Sequence, residues 1–138
     1  MADLSITAAN VAAADGAVSK QEWVAGATIT AGQAVYIDTA NDNVAKLAQS
    51  DGTELEATVK GIAMHGASSG QPIIIAVSGV LDLGATLTVG ATYVLSQTAG
   101  GIAPIADLAS GDFVSHVGIG TAADSCTLSI VNSGVEVP

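Results

Sequence analysis

The chain has 138 residues, of which 49% are hydrophobic, 12% are charged and 3% are aromatic. Thirteen acidic residues outnumber three lysines, so the formal net charge is −10 at pH 7. This balance excludes direct nucleic-acid binding, because the basic surface that neutralises phosphates is missing. The longest apolar run, residues 73–77, is far shorter than the roughly 20 residues of a membrane-spanning helix, so we predict no membrane partner. The first residues lack the pattern of a secretory signal.

The apolar residues are mostly small. There are 26 alanines and 15 valines, against one Trp, two Tyr and one Phe. A core of small side chains buries less apolar area per residue, and burial stabilises by only about 25 cal/mol per Å². A chain of this length is then marginal as a monomer, which predicts a homo-oligomer.

Residues 1–27 predict an extended N-terminal arm. The stretch 8–14 is rich in alanine, but it is interrupted by Asn10 and too short to be a stable helix alone. We expect residues 1–22 to take their order from what they touch. Trp23 and Val24 lie where the arm joins the body. A single large ring anchors either its own core, closing the bottom of a barrel, or a partner's pocket. The predicted partner-binding residues are Trp23, Val24, Leu4, Ile6 and Val11.

The rest of the chain contains a weak tandem duplication. Residues 28–37 match residues 86–95 at an offset of 58, and residues 61–63 match residues 118–120 at an offset of 57. Residues 77–79 are then aligned with residues 132–134 at an offset of 55. We interpret this as two β repeats, 28–79 and 86–134, that form one compact domain over 28–134.

Each repeat predicts short strands joined by turns. The loops 38–43 and 96–101 contain Asx and Gly residues that suit hairpins, and 44–47 and 102–105 are the return strands. Pro104 cannot donate to a ladder, so its strand belongs at a sheet edge. Residues 73–77 are apolar on both faces and should be covered on both sides, by the core and by a second layer or subunit, whereas 127–131 alternate. The pattern predicts an all-β fold, a compact β-barrel or β-sandwich.

One pattern imitates a serine hydrolase. Gly66-Ala67-Ser68-Ser69-Gly70 fits G-x-S-x-G, and Asp107 or Asp112 and then His116 follow in the order of a catalytic triad. The motif requires a helix after the turn, and here Gln71, Pro72 and an apolar strand follow instead. We therefore predict a loop in place of a nucleophile elbow, and no enzyme.

Other candidate sites are equally weak. Residues 118–123 fit G-x-G-x-x-A, but a strand follows where a dinucleotide site requires a helix, so no cofactor is predicted. His65 and His116 are not equivalent between the repeats, and the loop 38–43 lacks the spacing of a calcium loop, so no metal site is predicted. The acidic run 51–56 is interpreted as a solvated connection. Cys126 is interpreted as a small core residue in a strand.

Three segments together resemble the tailed-phage capsid decoration, or cement, proteins. They are T-I-T-A-G-Q-A-V-Y-I-D (28–38), V-K-G-I-A-M-H-G-A (59–67) and G-Q-P-I-I-I-A-V-S-G (70–79). The resemblance implies a non-enzymatic virion protein, made in the host cytoplasm, that binds the major capsid protein on the outer surface of the head. It also implies a homotrimer that stabilises the expanded capsid against the pressure of packaged DNA.

A carbohydrate- or cell-surface-binding β module remains the alternative. Such sites usually present exposed aromatic rings, and this chain has only Trp23, Tyr36, Tyr93 and Phe113.

Overall fold

The computed structural model describes residues 3–13 and 18–138, which are almost entirely β. The strands are β1 Val11–Ala13, β2 Ser19–Val24, β3 Ala34–Asp38, β4 Val44–Leu47, β5 Gly61–Ala63, β6 Pro72–Leu83, β7 Thr92–Leu95, β8 Ile102–Pro104, β9 Phe113–Gly120 and β10 Ser125–Glu136. Single turns of 3-10 helix lie at Ala8–Asn10 and Ile105–Asp107. The all-β prediction is confirmed. Within the described residues, no helix has the length and apolarity needed to cross a membrane.

The strands form one curled antiparallel sheet that resembles half a barrel. Their order is β4-β3-β5-β6-β10-β9-β7-β8, with β1 and β2 also paired to β6. The first repeat supplies β4-β3-β5-β6 from one end of the sheet, and the second repeat supplies β8-β7-β9-β10 from the other end. Equivalent strands of the two repeats therefore occupy equivalent positions, and β6 pairs with β10 in the middle. β8 is the last strand, so the prediction that Pro104 lies in an edge strand is confirmed.

The two repeats also make equivalent backbone hydrogen bonds. The Gly32 N–H donates to the Ala63 carbonyl, and the Gly90 N–H donates to the Gly120 carbonyl. Both turn glycines have positive φ, +89° and +86°, a conformation that side chains with a Cβ rarely adopt. Gly32 and Gly90, which are 58 residues apart, therefore occupy equivalent positions, as do Ala63 and Gly120, which are 57 residues apart.

The third offset is wrong. Ala63 pairs with Ile75 in the first repeat, and Gly120 pairs with Cys126 in the second. Ile75 therefore corresponds to Cys126, because the loop between β9 and β10 is shorter than the loop between β5 and β6. β6 also continues to Leu83, beyond the predicted end of the first repeat.

Two apolar clusters cover the two faces of the first repeat. Ala76 lies in the main core, whereas Ile73 and Ile75 lie in a smaller cluster with Ala25 and Ile29. The expectation that residues 73–77 are covered on both sides is confirmed, and the second layer comes from the chain's own segments before β3 and after β5.

Cys126 is fully buried in the main core, as predicted. Its burial raises the pKa of the thiol to about 11. The thiol therefore has the properties of a small core side chain and stays protonated at neutral pH.

Candidate partner-binding surface

The described part of the arm packs on the chain's own body. The Leu4 N–H donates to the Ile102 carbonyl of β8 at 2.8 Å, and the Thr7 N–H donates to the Gly84 carbonyl at 2.8 Å. Val11 then pairs with Leu83 in β6. The arm thus crosses from β8, the edge strand of the second repeat, to the C-terminal end of β6.

The three apolar arm residues of the predicted partner-binding set are used inside the molecule. Leu4, Ile6 and Val11 are half-buried against the main core. Ile6 rests directly on Gly32, where an added Cβ would lie 2.6 Å from the Ile6 Cγ2 atom and 3.2 Å from the Val11 Cγ2 atom. Because Gly32 has no side chain, Ile6 and Val11 can pack against its backbone, and we call this contact the seat of the arm.

The short helix considered for residues 8–14 does not form in the described part of that stretch. Ala8–Asn10 make one 3-10 turn, and Val11–Ala13 then pair with β6 as a strand. Tertiary pairing overrides the helix propensity of alanine here. Residue 14, together with 1–2 and 15–17 of the predicted arm, lies outside the described residues.

Trp23 does not close the main core. Its ring is half-buried against the smaller cluster, and its Nε1–H donates to the Gln21 Oε1 atom at 3.1 Å. Of the two alternatives for Trp23, the ring does contact its own core, but at the smaller cluster; it does not close the bottom of the main core, which is filled by aliphatic residues and by Tyr36 and Tyr93. Val24 is 47% exposed and, as the next residue of the strand, points to the opposite face of β2.

The exposed side of the Trp23 ring opens into a cleft of about 270 Å³. The lining residues, which we call the Trp23 cleft, are Trp23, Ile37, Thr39, Asn43, Leu55, Thr58 and Lys60. The half-buried lining residues, Trp23 and Ile37, are apolar, and we call them the bottom of the cleft. The polar lining residues are all exposed, and we call them the rim: Thr39, Asn43, Thr58 and Lys60. A volume slightly below the range of typical small-molecule pockets fits one or two protein side chains better than a drug-sized ligand.

A cation lies at the rim of this cleft. The Lys60 Nζ atom is 5.9 Å from the centroid of the Trp23 ring, within the range of a cation–π contact. In a chain with a net charge of −10, a lysine beside an apolar cleft is a local departure from the acidic surface. This arrangement suits a partner that presents an apolar side chain next to a carboxylate.

The β3–β4 hairpin loop beside the cleft is held by hydrogen bonds to Asp38. The buried carboxylate of Asp38 accepts hydrogen bonds from Lys46 Nζ at 2.8 Å, from Asn41 Nδ2 at 2.9 Å and from the Ala40 N–H at 3.2 Å. The hydrogen bond from Lys46 is the main reason that the pKa of Asp38 is lowered. Asp38 is thus bound by donors within its own hairpin, which gives it a structural role in holding the rim residues.

The residues of the hydrolase pattern are engaged in separate places. Ser68 lies in the exposed β5–β6 loop, which is followed by β6 and not by a helix. Asp112 is buried and accepts hydrogen bonds from Gln97 Nε2 at 2.9 and 3.0 Å and from the Ala109 N–H. The His116 Nδ1 atom is 2.6 Å from the Ser129 carbonyl oxygen. These contacts bind each group to its own surroundings and form no hydrogen-bonded triad among the described residues.

The other weak motifs are structural in this fold. Residues 118–123 complete β9 and turn into β10, so a strand follows the glycines. His65 accepts the Ile74 N–H through Nε2 at 3.0 Å, and Asp107 ends the second 3-10 turn. Within residues 3–13 and 18–138, no three His, Cys, Asp or Glu side chains are grouped to hold a metal ion.

Sequence reasoning did not identify Ile37, Leu55 and Lys60 as neighbours of Trp23. Leu55 is 38% exposed and stands between Glu54 and Glu56 in the run interpreted as a solvated connection. A single large apolar residue within an acidic loop was the available signal. Its position in the same cleft as Trp23 depends on the tertiary path of the segment between β4 and β5, which no local pattern indicates.

A scan against protein-family models finds no match, and a search of curated proteins finds no significant match.

Proposed function

We propose that this chain is a structural decoration protein that binds the outer surface of a bacteriophage head and stabilises the expanded capsid. The observation that carries the proposal is the position of the three segments that resemble cement proteins. They supply β3, β5 and β6, which are neighbours in the sheet, so they form one continuous three-stranded unit. The major capsid protein is the proposed partner, and the proposed location is the virion surface.

The Trp23 cleft is the proposed contact on this unit. It combines a half-buried aromatic ring, an apolar bottom and a polar rim, the composition of an interface hot spot. Val24, on the other face of β2, and the arm residues Leu4, Ile6 and Val11 have a smaller part, because the arm residues are already packed inside the chain. We assign the main role to Trp23 and Leu55.

Stabilisation of the capsid follows from linkage. A protein that binds only the expanded lattice stabilises it by RT ln(1 + [L]/Kd), about 2.7 kcal/mol per site at one hundred times Kd. A capsid offers many equivalent sites, so weak individual contacts sum to a large effect. No reactive side chain is needed for this role.

The carbohydrate-binding alternative has less support from the described residues. Tyr36 and Tyr93 are 7% and 2% exposed, so neither offers a stacking surface to a sugar. Trp23 is the main aromatic candidate, and a single half-buried ring is a small platform for a glycan.

A sedimentation assay tests the proposal. The full chain is mixed with purified expanded heads and with unexpanded proheads of the phage whose genome carries this reading frame. We expect co-sedimentation with expanded heads and a higher melting temperature of those heads. Leu55→Asp should reduce occupancy at least tenfold, whereas the matched control Val89→Asp, at a 66% exposed valine far from the cleft in sequence, should not. Absence of binding to expanded heads contradicts the function, and equal occupancy for both variants contradicts the assigned contact.

A further inference from the structure

One edge of β2 is open to another strand. The strand is bonded to β6 along its other edge, from Ser19 to Val24. In the described part of the chain, no backbone hydrogen bond joins Ser19–Trp23 to any other segment. The open stretch ends at Ala25, which bridges to Ala45, and the Gly26 N–H donates to the Ala45 carbonyl. An open edge of this kind is a template for pairing with a further strand.

The register with β6 decides which backbone groups face outwards. Ile74 is the partner of Glu22, but the Ile74 N–H donates to His65 Nε2 and its carbonyl accepts from the Met64 N–H. The groups of Ile74 therefore point away from β2, so Glu22 and Ile74 form a non-hydrogen-bonded pair. By alternation along the strand, the N–H and C=O groups of Glu22 and Lys20 both point to the open edge.

The side chains of this edge are self-complementary. If two copies pair antiparallel about a two-fold axis through Gln21, Lys20 of each copy stands opposite Glu22 of the other. Both of these are hydrogen-bonded pairs, so the four outward N–H and C=O groups of each copy find partners. The neighbouring registers, centred on Lys20 or on Glu22, place like charges opposite each other and are disfavoured.

We infer that a second copy of this chain docks on this edge and forms a two-fold dimer through β2. Charged residues on an edge strand commonly prevent pairing. Here the spacing of Lys20 and Glu22 instead favours the register centred on Gln21 and disfavours the two neighbouring registers. Charges at pairing positions select partners in coiled coils in the same way. A two-fold contact is closed at two copies, so this mode gives a dimer and not a trimer. The inference does not depend on capsid binding.

Charge exchange at two positions tests the dimer without disturbing the fold. Lys20 and Glu22 are exposed, so Lys20→Glu, Glu22→Lys and the double exchange should leave the circular dichroism spectrum unchanged. The melting temperature should also be unchanged when it is measured at a dilution where every variant is monomeric. In sedimentation equilibrium, the mass of the wild-type full chain should rise with concentration from 13.4 kDa towards the dimer. Each single variant should weaken association roughly tenfold, because two opposite-charge pairs become two like-charge pairs. The double exchange should restore it.

The Glu22→Lys variant separates this mechanism from general repulsion. It makes the chain less negative, so a simple net-charge effect would strengthen association, whereas the paired register requires it to weaken. A monomeric wild type at millimolar concentration, a trimer, or a double exchange that fails to rescue either single variant would overturn the dimer.

Discussion

The seat of the arm on Gly32 leads to a quantitative prediction from two matched glycines. Gly32 and Gly90 are equivalent turn residues with φ of +89° and +86°. An alanine at either position carries similar backbone strain, roughly 1–2 kcal/mol. At Gly90 nothing lies within 4 Å of the added Cβ, whereas at Gly32 the Ile6 Cγ2 atom would be 2.6 Å away. Gly32→Ala should therefore also displace the arm.

The additional cost can be calculated from the burial of Ile6. Complete burial of such a side chain contributes about 1.5–3 kcal/mol, and Ile6 is half-buried, so its loss costs about 1 kcal/mol. We expect Gly90→Ala to lower the free energy of unfolding by about 1.5 kcal/mol from the backbone strain alone. With the loss of the Ile6 contact added, Gly32→Ala should lower it by about 2.5 kcal/mol. Urea unfolding measures both, and hydrogen exchange at the Leu4 N–H should accelerate only in Gly32→Ala.

A double-mutant cycle with Ile6→Ala identifies the contact. In the Ile6→Ala background, the cost of Gly32→Ala should fall most of the way towards that of Gly90→Ala, since the methyl group at 2.6 Å is gone and only the Val11 Cγ2 atom at 3.2 Å remains close. Equal costs for Gly32→Ala and Gly90→Ala in the wild-type background, with unchanged exchange at Leu4, would refute the docking of the arm on this glycine.

Three further predictions concern the body. Asn132→Ala should lower the free energy of unfolding by about 2 kcal/mol, because the Asn132 amide bonds both the N–H and the C=O of buried Val59 at 2.8 and 3.0 Å; a loss below about 0.5 kcal/mol in urea unfolding would contradict this. Lys46 lowers the pKa of Asp38, so this pair stabilises the fold fully above the unfolded pKa of 3.8. The contribution is lost as the pH falls through the folded pKa. Asp38→Asn should therefore reduce the difference in melting temperature between pH 6 and pH 3. Cys126, with its pKa raised to about 11, should react with thiol reagents at pH 8 only as fast as the protein opens, and stability should fall as the pH rises above about 9, where the unfolded thiol ionises first; rapid labelling of the folded protein would show that the thiol is accessible.

Several features of the fold could be predicted because they depend on short-range chemistry. Glycines at positive φ mark the turns at Gly32 and Gly90, and Asp42 and Asn43 take the left-handed conformations of a hairpin loop. A proline that cannot donate identifies β8 as an edge strand. Each of these signals acts within a few residues, so the sequence alone is sufficient for the all-β class, the hairpins and the first two offsets of the duplication.

The tertiary structure decided what depends on contacts between distant segments. The arm docks on Gly32 and β6 because a seat of the right shape is assembled from both repeats, so alanine-rich residues become a strand and apolar arm residues become part of the core. The Trp23 cleft exists because Leu55 and Lys60, from the segment between β4 and β5, line the same cleft as Trp23 of β2. The open edge of β2 likewise exists because β6 pairs with only one of its sides. Local propensity specifies strands and turns, but it does not specify which strand edges and apolar faces remain uncovered, since that is settled only when all segments compete for the same partners.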